Sequence, residues 1–225
     1  MRKLIFLIIV GCAAVAAAHG QTAAERKALT AADFTAGRRA TANENAFRLQ
    51  INPSRSPVHL RLSVARGLGH IEITADHAAS SQTLSLRTSL DAASFTQLFT
   101  VMDANFDGYL DLAAVAEAGA KWGRLNFWLY DPRTQRYVTS PLTRELARLT
   151  HNGIEANVAT QELVVSQFPQ ATPRAGTLSE TYKIANGHLL LVKRELIQST
   201  REGLKAVTQQ RIGGKLKVVS AQKLP

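Results

Sequence analysis

A short run of alternating oxygen-bearing residues, DANFDGYLD at positions 103–111, is the part of the chain best suited to bind a metal ion. Oxygen-bearing side chains stand at positions 1, 3, 5 and 9 of a D-x-[DN]-x-[DN]-G loop, and Gly108 is at position 6. Ca²⁺ prefers six to eight oxygen ligands, and a backbone that curls at a glycine lets alternate side chains converge. The predicted calcium ligands are Asp103, Asn105, Asp107, Asp111 and the backbone carbonyl of Tyr109.

The loop departs from a complete calcium-binding loop at position 12, where Ala114 replaces the bidentate glutamate. The missing ligand would be water or one of three other acids, and the affinity would suit extracellular, millimolar calcium. The competing interpretation is a hairpin tip with solvated acids. Three of the seventeen acidic residues fall within nine positions, which favours a neutralising cation. The three other acids that could supply the missing ligand are Asp91, Glu117 and Asp131.

Alternation of apolar and polar residues predicts that strands build most of the fold. Asn186–Gly187 is a strong hairpin signal, and Pro132 lies in a predicted turn between two apolar runs at 125–141. Residues 91–102 are compatible with a helix capped by Asp91 or with a loop and a strand, and Thr143–Thr150 with one or two helical turns. The predicted strands are 47–51, 59–64, 70–74, 83–88, 180–185, 188–200, 204–212 and 215–222.

This pattern predicts a mainly β fold of antiparallel sheets, as a sandwich or a propeller-like stack of hairpins. We expect one such domain at 47–225, a flexible arm at 21–46 and little helix outside the N-terminal segment. Residues 1–20 have two basic residues, an apolar stretch and small residues, which is the layout of a signal peptide. Cys12, the one cysteine, ends the string IVGC, which resembles a bacterial lipobox. The alternative to soluble export is therefore a lipoprotein in which Cys12 is lipidated and becomes the N-terminus.

The chain is basic, and its charge bears on its partners. Removing residues 1–20 takes away Arg2 and Lys3 and no acid, so the net charge falls from +10 to +8. The basic residues are scattered and not interleaved with aromatics, so we expect no nucleic-acid binding. Anionic cell wall, lipid headgroups or an acidic protein are the partners that this charge suits. Membrane contact is expected only through a lipid on Cys12.

The sequence contains few groups for catalysis. It has no H-E-x-x-H and no G-x-S-x-G motif, and alternation places His70 and Glu72 on one strand face and His77 on the other. We therefore expect a protein that is not an enzyme; a hydrolase built on two carboxylates is the enzymatic alternative. Trp128 is expected to pack in the core, whereas Trp122 fits either packing or sugar binding.

Three strings, QTLSLRT, VMDANFDGYLDLAAV and LNFWLYDPRTQRYV, together with ETYKIANG resemble a family of exported bacterial proteins over about Gln82–Leu196. The family comprises periplasmic inhibitors of invertebrate-type lysozyme and immunity proteins against peptidoglycan-hydrolase toxins. The resemblance implies a mainly β fold, a structural calcium ion in the periplasm, and binding to a glycoside hydrolase. The S-G-x-x-Y string that some of these inhibitors present to lysozyme is absent from this sequence. The resemblance therefore identifies no residues that would contact the hydrolase. A calcium-stabilised structural or adhesive envelope module is the alternative.

Overall fold

Four antiparallel strands form the first sheet, in the order β1-β2-β3-β4. The computed structural model describes residues 45–75, 81–119, 122–151, 153–167, 176–200 and 203–224. Alternate side chains of β2 to β4 are buried, as their sequence pattern predicts. The strands are β1 (Ala46–Leu49), β2 (Val58–Ala65), β3 (Leu68–Ala75) and β4 (Ser81–Arg87).

The second sheet has the order β5-β6-β7-β8 and lies at the centre of the molecule. It follows the helix α1, which Asp91 caps by accepting a hydrogen bond from the Ser94 amide at 2.7 Å. Residues 111–115 of β6 are all buried, because both faces of this sheet are covered. The elements are α1 (Ala92–Gln97), β5 (Thr100–Met102), β6 (Asp111–Gly119), β7 (Trp122–Asp131) and β8 (Arg136–Val138).

Six strands form the third sheet, in the order β14-β13-β12-β11-β10-β9. A second helix precedes it and is fixed by a capping box between Ser140 and Thr143. Within the described residues, β13 and β14 pack extensively only on their strand neighbours. The elements are α2 (Pro141–Leu146), β9 (Gly153–Asn157), β10 (Glu162–Gln167), β11 (Gly176–Ala185), β12 (His188–Thr200), β13 (Gly203–Ile212) and β14 (Lys215–Lys223).

Two apolar clusters join the three sheets, and the central strands alternate between them. Leu112 and Ala114 of β6 belong to the cluster shared with the first sheet. Ala113 and Val115 belong to the cluster shared with α2 and with Leu163 of β10. The central sheet therefore links two cores, and the position of the loop that precedes β6 is set by both.

The predicted fold class, mainly β with antiparallel sheets and little helix, is confirmed. Residues 91–102 contain both alternatives, a helix and then a short strand, and α2 begins two residues before the predicted helical turns. Strands β9 and β10 were not predicted. Trp128 is buried in the first core, as expected; the side chain of Trp122 lies outside what is described.

The predicted signal peptide at 1–20, Cys12, nearly all of the arm at 21–46 and His77 lie outside the described residues. The domain boundaries therefore stay predictions. Across the ranges that the structure describes, none of the helices is long and apolar enough to cross a membrane.

Candidate metal centre

The predicted calcium loop connects β5 to β6 and is held against the first sheet. Met102 pairs with Asp111 at the last rung of the β5–β6 hairpin, so residues 103–110 form its loop. The Leu110 amide donates to the Ile51 carbonyl at 2.9 Å. Asn52 Nδ2 donates to the Gly108 carbonyl at 2.7 Å. Both contacts join the loop to the connection between β1 and β2, and Asn52 is a positioning residue that no sequence motif indicated.

Asp103 closes the loop on itself. Its Oδ1 accepts from the Asp107 amide at 3.1 Å and its Oδ2 accepts from the Gly108 amide at 2.9 Å. The side chain is buried, and this burial raises the pKa of the Asp103 carboxyl; the charge of Asp107 acts in the same direction, whereas the amides oppose it. The backbone of the loop is thus wrapped around the first predicted ligand.

Asn105, which is half-buried, and Asp107, which is exposed, form the tip of the loop. Asn105 Oδ1 accepts from the Asp107 amide at 3.2 Å, and Asn105 Nδ2 donates to Asp107 Oδ2 at 2.8 Å. Asp107 Oδ1 accepts from the Tyr109 amide at 2.9 Å. Each of these oxygens has two lone pairs, so one hydrogen bond leaves capacity for a further contact.

Asp111 is the most deeply placed of the predicted ligands, with 0% of its surface exposed. Its Oδ2 accepts from the Ala104 amide at 2.8 Å and its Oδ1 from the Tyr130 amide at 2.9 Å. Burial raises the pKa of Asp111 to about 8, the two amides oppose this, and the charges of Asp107 and Asp103 add to it. Asp111 therefore connects the loop to β7 and places an ionisable carboxyl group in the core.

The backbone of the loop turns through two positive φ angles. Gly108 has φ +84°, as the glycine at position 6 predicts, and Phe106 has φ +61°. Phe106 packs against the second core, whereas Tyr109 packs against the first, where its ring lies 5.5 Å from that of Tyr130. The two aromatic side chains anchor the loop on opposite sides and compensate for the unfavourable backbone conformation at Phe106.

The donor types fit a hard cation, since the loop offers carboxylate, amide and carbonyl oxygens. However, no group of three or more His, Cys, Asp or Glu side chains is arranged to hold a metal within the described ranges. The side-chain oxygens of the loop accept hydrogen bonds from backbone amides and from the Asn105 side chain instead. Calcium binding by Asp103, Asn105, Asp107, Tyr109 and Asp111 stays a prediction.

The three other candidate ligands are engaged elsewhere. Asp91 caps α1. Glu117 forms an ion pair with Arg124 at 2.5 Å. Asp131 accepts from the Arg133 amide at 2.9 Å in the β7–β8 turn. Because these three acids are engaged elsewhere, water would supply the missing oxygen ligand of the predicted calcium site.

No family model matches the chain, and no curated protein matches it. It is similar in structure to a Xanthomonas protein described as related to the type IV secretion system. The two share 15% sequence identity, and the TM-score is 0.49. The match covers 81% of this chain and 97% of the other.

Proposed function

We propose that this chain is an exported, calcium-stabilised binding protein that inhibits a cell-wall glycoside hydrolase. The observation that carries the calcium part is a cluster of three acids that has no basic partner among the described residues. Asp103 and Asp111 are buried, and Asp107 is close enough to raise the pKa of both. Among the described residues, no lysine, arginine or histidine forms an ion pair with any of the three. A bound cation would supply the missing positive charge.

The ion would be held by the side chains of Asp103, Asn105 and Asp107 and by the Tyr109 carbonyl, with Asp111 at the ninth position of the loop. When bound, it would neutralise the acids and stiffen the β5–β6 hairpin. A structural role is favoured because, around this loop, the described residues provide no nucleophile with an adjacent base.

Inhibition of a hydrolase rests on the resemblance to periplasmic lysozyme inhibitors and immunity proteins. The two strings that carry it most specifically, the calcium loop and the WLYDP segment, are in contact. The Tyr130 amide binds Asp111, and the Tyr109 and Tyr130 rings pack together. The resemblance thus concerns one continuous part of the molecule. The resulting function is a binding module that plugs a hydrolase cleft and performs no catalysis.

The calcium part is tested by thermal melting of the mature protein during titration with CaCl₂. A structural site raises the melting temperature as the native state binds the ion, by about 2.7 kcal/mol of stabilisation at one hundred times the dissociation constant. We expect this rise in the wild type and its loss in Asp107→Ala. Asp131→Ala, which removes an acid outside the loop, should respond like the wild type. An equal rise in all three proteins, or none at 10 mM calcium, would refute the site.

The inhibition part is tested by peptidoglycan turbidity assays with invertebrate-type lysozyme and with peptidoglycan-hydrolase toxins. We expect stoichiometric inhibition of at least one of these enzymes and no cleavage by the purified chain alone. Cleavage by this chain would contradict the binding-module proposal.

The alternative function is a calcium-stabilised structural or adhesive module of the envelope. It is favoured by β13 and β14, which carry five basic residues and no acid. A protein that responds to calcium, inhibits none of these hydrolases and sediments with isolated cell wall would support it.

A further inference from the structure

A cleft of about 660 Å³ lies on the side of the molecule where the first sheet meets β6 and β7. Its lining is rich in guanidinium groups and contains one carboxylate. The charged residues that line it are Arg66, Arg87, Arg124 and Glu117. We propose that this cleft binds a small oxyanion that carries two negative charges. This site is separate from the metal loop and does not depend on the proposed function.

The charge of the cleft is positive. Glu117 forms an ion pair with Arg124 at 2.5 Å, which neutralises one of the three arginines. Arg66 and Arg87 make no ion pair and no side-chain hydrogen bond with any residue that the structure describes. Two arginines that are free of such contacts therefore line the same concave space. Their planar forks bind carboxylate and phosphate oxygens through paired hydrogen bonds.

Arg66 occupies a turn position whose backbone conformation is unfavourable for arginine. It joins β2 to β3 together with Gly67, and both have positive φ, +52° and +74°. A two-residue turn of this type prefers asparagine at its first position. The β11–β12 hairpin follows that preference with Asn186, at φ +52°. An arginine at the equivalent place costs backbone energy, and strain of this kind is concentrated at functional sites.

The floor of the cleft is rigid. Thr88 Oγ1 donates to the Val115 carbonyl at 2.9 Å, and the Ser89 amide donates to the Ala116 carbonyl at 3.2 Å. The pairing of β6 with β7 shifts register between Val115 and Glu117, so Ala116 is a bulge. Bulges redirect side chains and often occur beside functional sites. The residue after this one is Glu117, which binds Arg124 within the cleft. The end of β4 and the bulge of β6 thus hold the basic side chains around a fixed wall.

The volume and the charge together limit the ligand. Pockets of roughly 300–1,000 Å³ hold small molecules. Two free guanidinium groups match two negative charges, which a dicarboxylate or a phosphate provides. Both ligands carry negatively charged oxygens that can accept hydrogen bonds from guanidinium groups. Glutarate is the probe for a dicarboxylate ligand, and inorganic phosphate is the probe for a phosphate ligand.

Isothermal titration calorimetry of the mature protein at low salt tests the site. We expect saturable binding of glutarate, phosphate or both, and at least a tenfold loss of affinity in Arg66→Gln and in Arg87→Gln. Arg133→Gln is the matched control, since its side chain is 93% exposed at a turn outside the cleft. Binding of neither probe, or equal binding by all variants, would overturn the proposal.

A second variant separates binding from folding. Arg66→Asn restores the residue that the turn prefers, so it should raise the melting temperature by about 2–4 °C. It should weaken the binding of the same anion as strongly as Arg66→Gln does. A variant that gains stability and keeps full affinity would show that Arg66 does not bind the anion.

Discussion

Asp111 shows how one side chain serves both structure and charge. Its two carboxylate oxygens accept hydrogen bonds from buried backbone amides on different elements, Ala104 in the loop and Tyr130 in β7. The spacing of the acids predicted a curled loop, and Asp103 and Gly108 follow that prediction. The spacing could not indicate the bond to Tyr130, because that partner lies nineteen residues away in the sequence and depends on the pairing of the sheets.

Replacing Asp111 should expose this structural role in the absence of calcium. Asp111→Ala leaves two buried amides without an acceptor, and each costs about 1–3 kcal/mol, so the free energy of unfolding should fall by roughly 2–6 kcal/mol. Asp111→Asn keeps one acceptor oxygen and should lose about half as much. Urea unfolding in EDTA measures both. Asp107→Ala is the control, because its amide partner Tyr109 is near solvent; an equal loss in this variant would show that burial of Asp111 is not the cause.

His151 is the second residue whose environment has a measurable consequence. It is 8% exposed, and neither ring nitrogen has a hydrogen-bond partner among the described residues. Burial lowers the pKa of His151 below 6.5, since it disfavours the charged ring. Below that value the unfolded chain binds a proton that the folded chain does not bind. Stability due to this group is therefore complete above about pH 6.5 and decreases as the pH falls.

We expect the stability of the wild type relative to His151→Phe to decline between pH 7 and pH 5, because the raised pKa of Asp111 acts in the opposite direction in both proteins and cancels in the comparison. An apolar ring leaves no partner unsatisfied, so the substitution should cost little at pH 8. Urea unfolding at a series of pH values provides the measurement, with His70→Ala as control because His70 is only half-buried and is hydrogen-bonded to Ser85 at 3.0 Å. A stability difference between the two proteins that does not change with pH would show that His151 does not contribute to the pH dependence.

The half-buried strands could be predicted from the sequence, because apolar and polar residues alternate along such a strand. Strand β6 has a different pattern, since the central sheet is buried on both faces and 111–115 is continuously buried. The sequence alone did not indicate that β6 is buried on both faces, because this burial depends on the two cores that pack against it. Strands β9 and β10 lacked a strong signal. In β9, for example, all five residues are exposed or only half-buried, and it is the edge of the third sheet.

The β11–β12 hairpin carries a partly buried ion pair that no sequence motif indicated. Glu180 is 5% exposed, and its Oε1 accepts from Arg194 Nε at 2.8 Å and from Arg194 Nη2 at 2.6 Å. Its Oε2 accepts from the Tyr182 hydroxyl at 2.7 Å and from Gln167 Nε2 at 3.0 Å. The four side chains come from three adjacent strands, so the network fixes the register of β10, β11 and β12.

Glu180→Ala should therefore lower the free energy of unfolding by about 2–3 kcal/mol, less than for a fully buried pair because the Arg194 side chain is 40% exposed. Glu195→Ala is the matched control on the same hairpin. Glu195 pairs with Lys193 at 3.0 Å, and both side chains are exposed, so its loss should change stability by less than about 1 kcal/mol. Chemical denaturation compares the two. Equal effects would mean that the Glu180 network does not stabilise the hairpin.

Acidic and basic residues are concentrated in different regions of the protein. The acids of the metal loop lie beside the first two sheets, whereas β13 and β14 contain only basic charges: Lys205, Arg211, Lys215, Lys217 and Lys223. The net charge predicted a preference for acidic partners, and the structure locates part of that charge on the open end of the third sheet. Repulsion would slow the approach of a basic lysozyme to this face, whereas an acidic hydrolase would be attracted.

This asymmetry leads to a prediction for any hydrolase that the protein inhibits. Electrostatic steering acts on the encounter, so the association rate constant should fall at least tenfold between about 50 mM and 1 M NaCl, as the screening length drops to roughly 3 Å. The dissociation rate should change much less. Surface plasmon resonance at several salt concentrations measures both rates. Replacing Lys215 and Lys217 with glutamine should lower the low-salt association rate and flatten its salt dependence, because two charges of the open face are lost. Association that is insensitive to salt in the wild type would mean that the basic strands do not guide the partner.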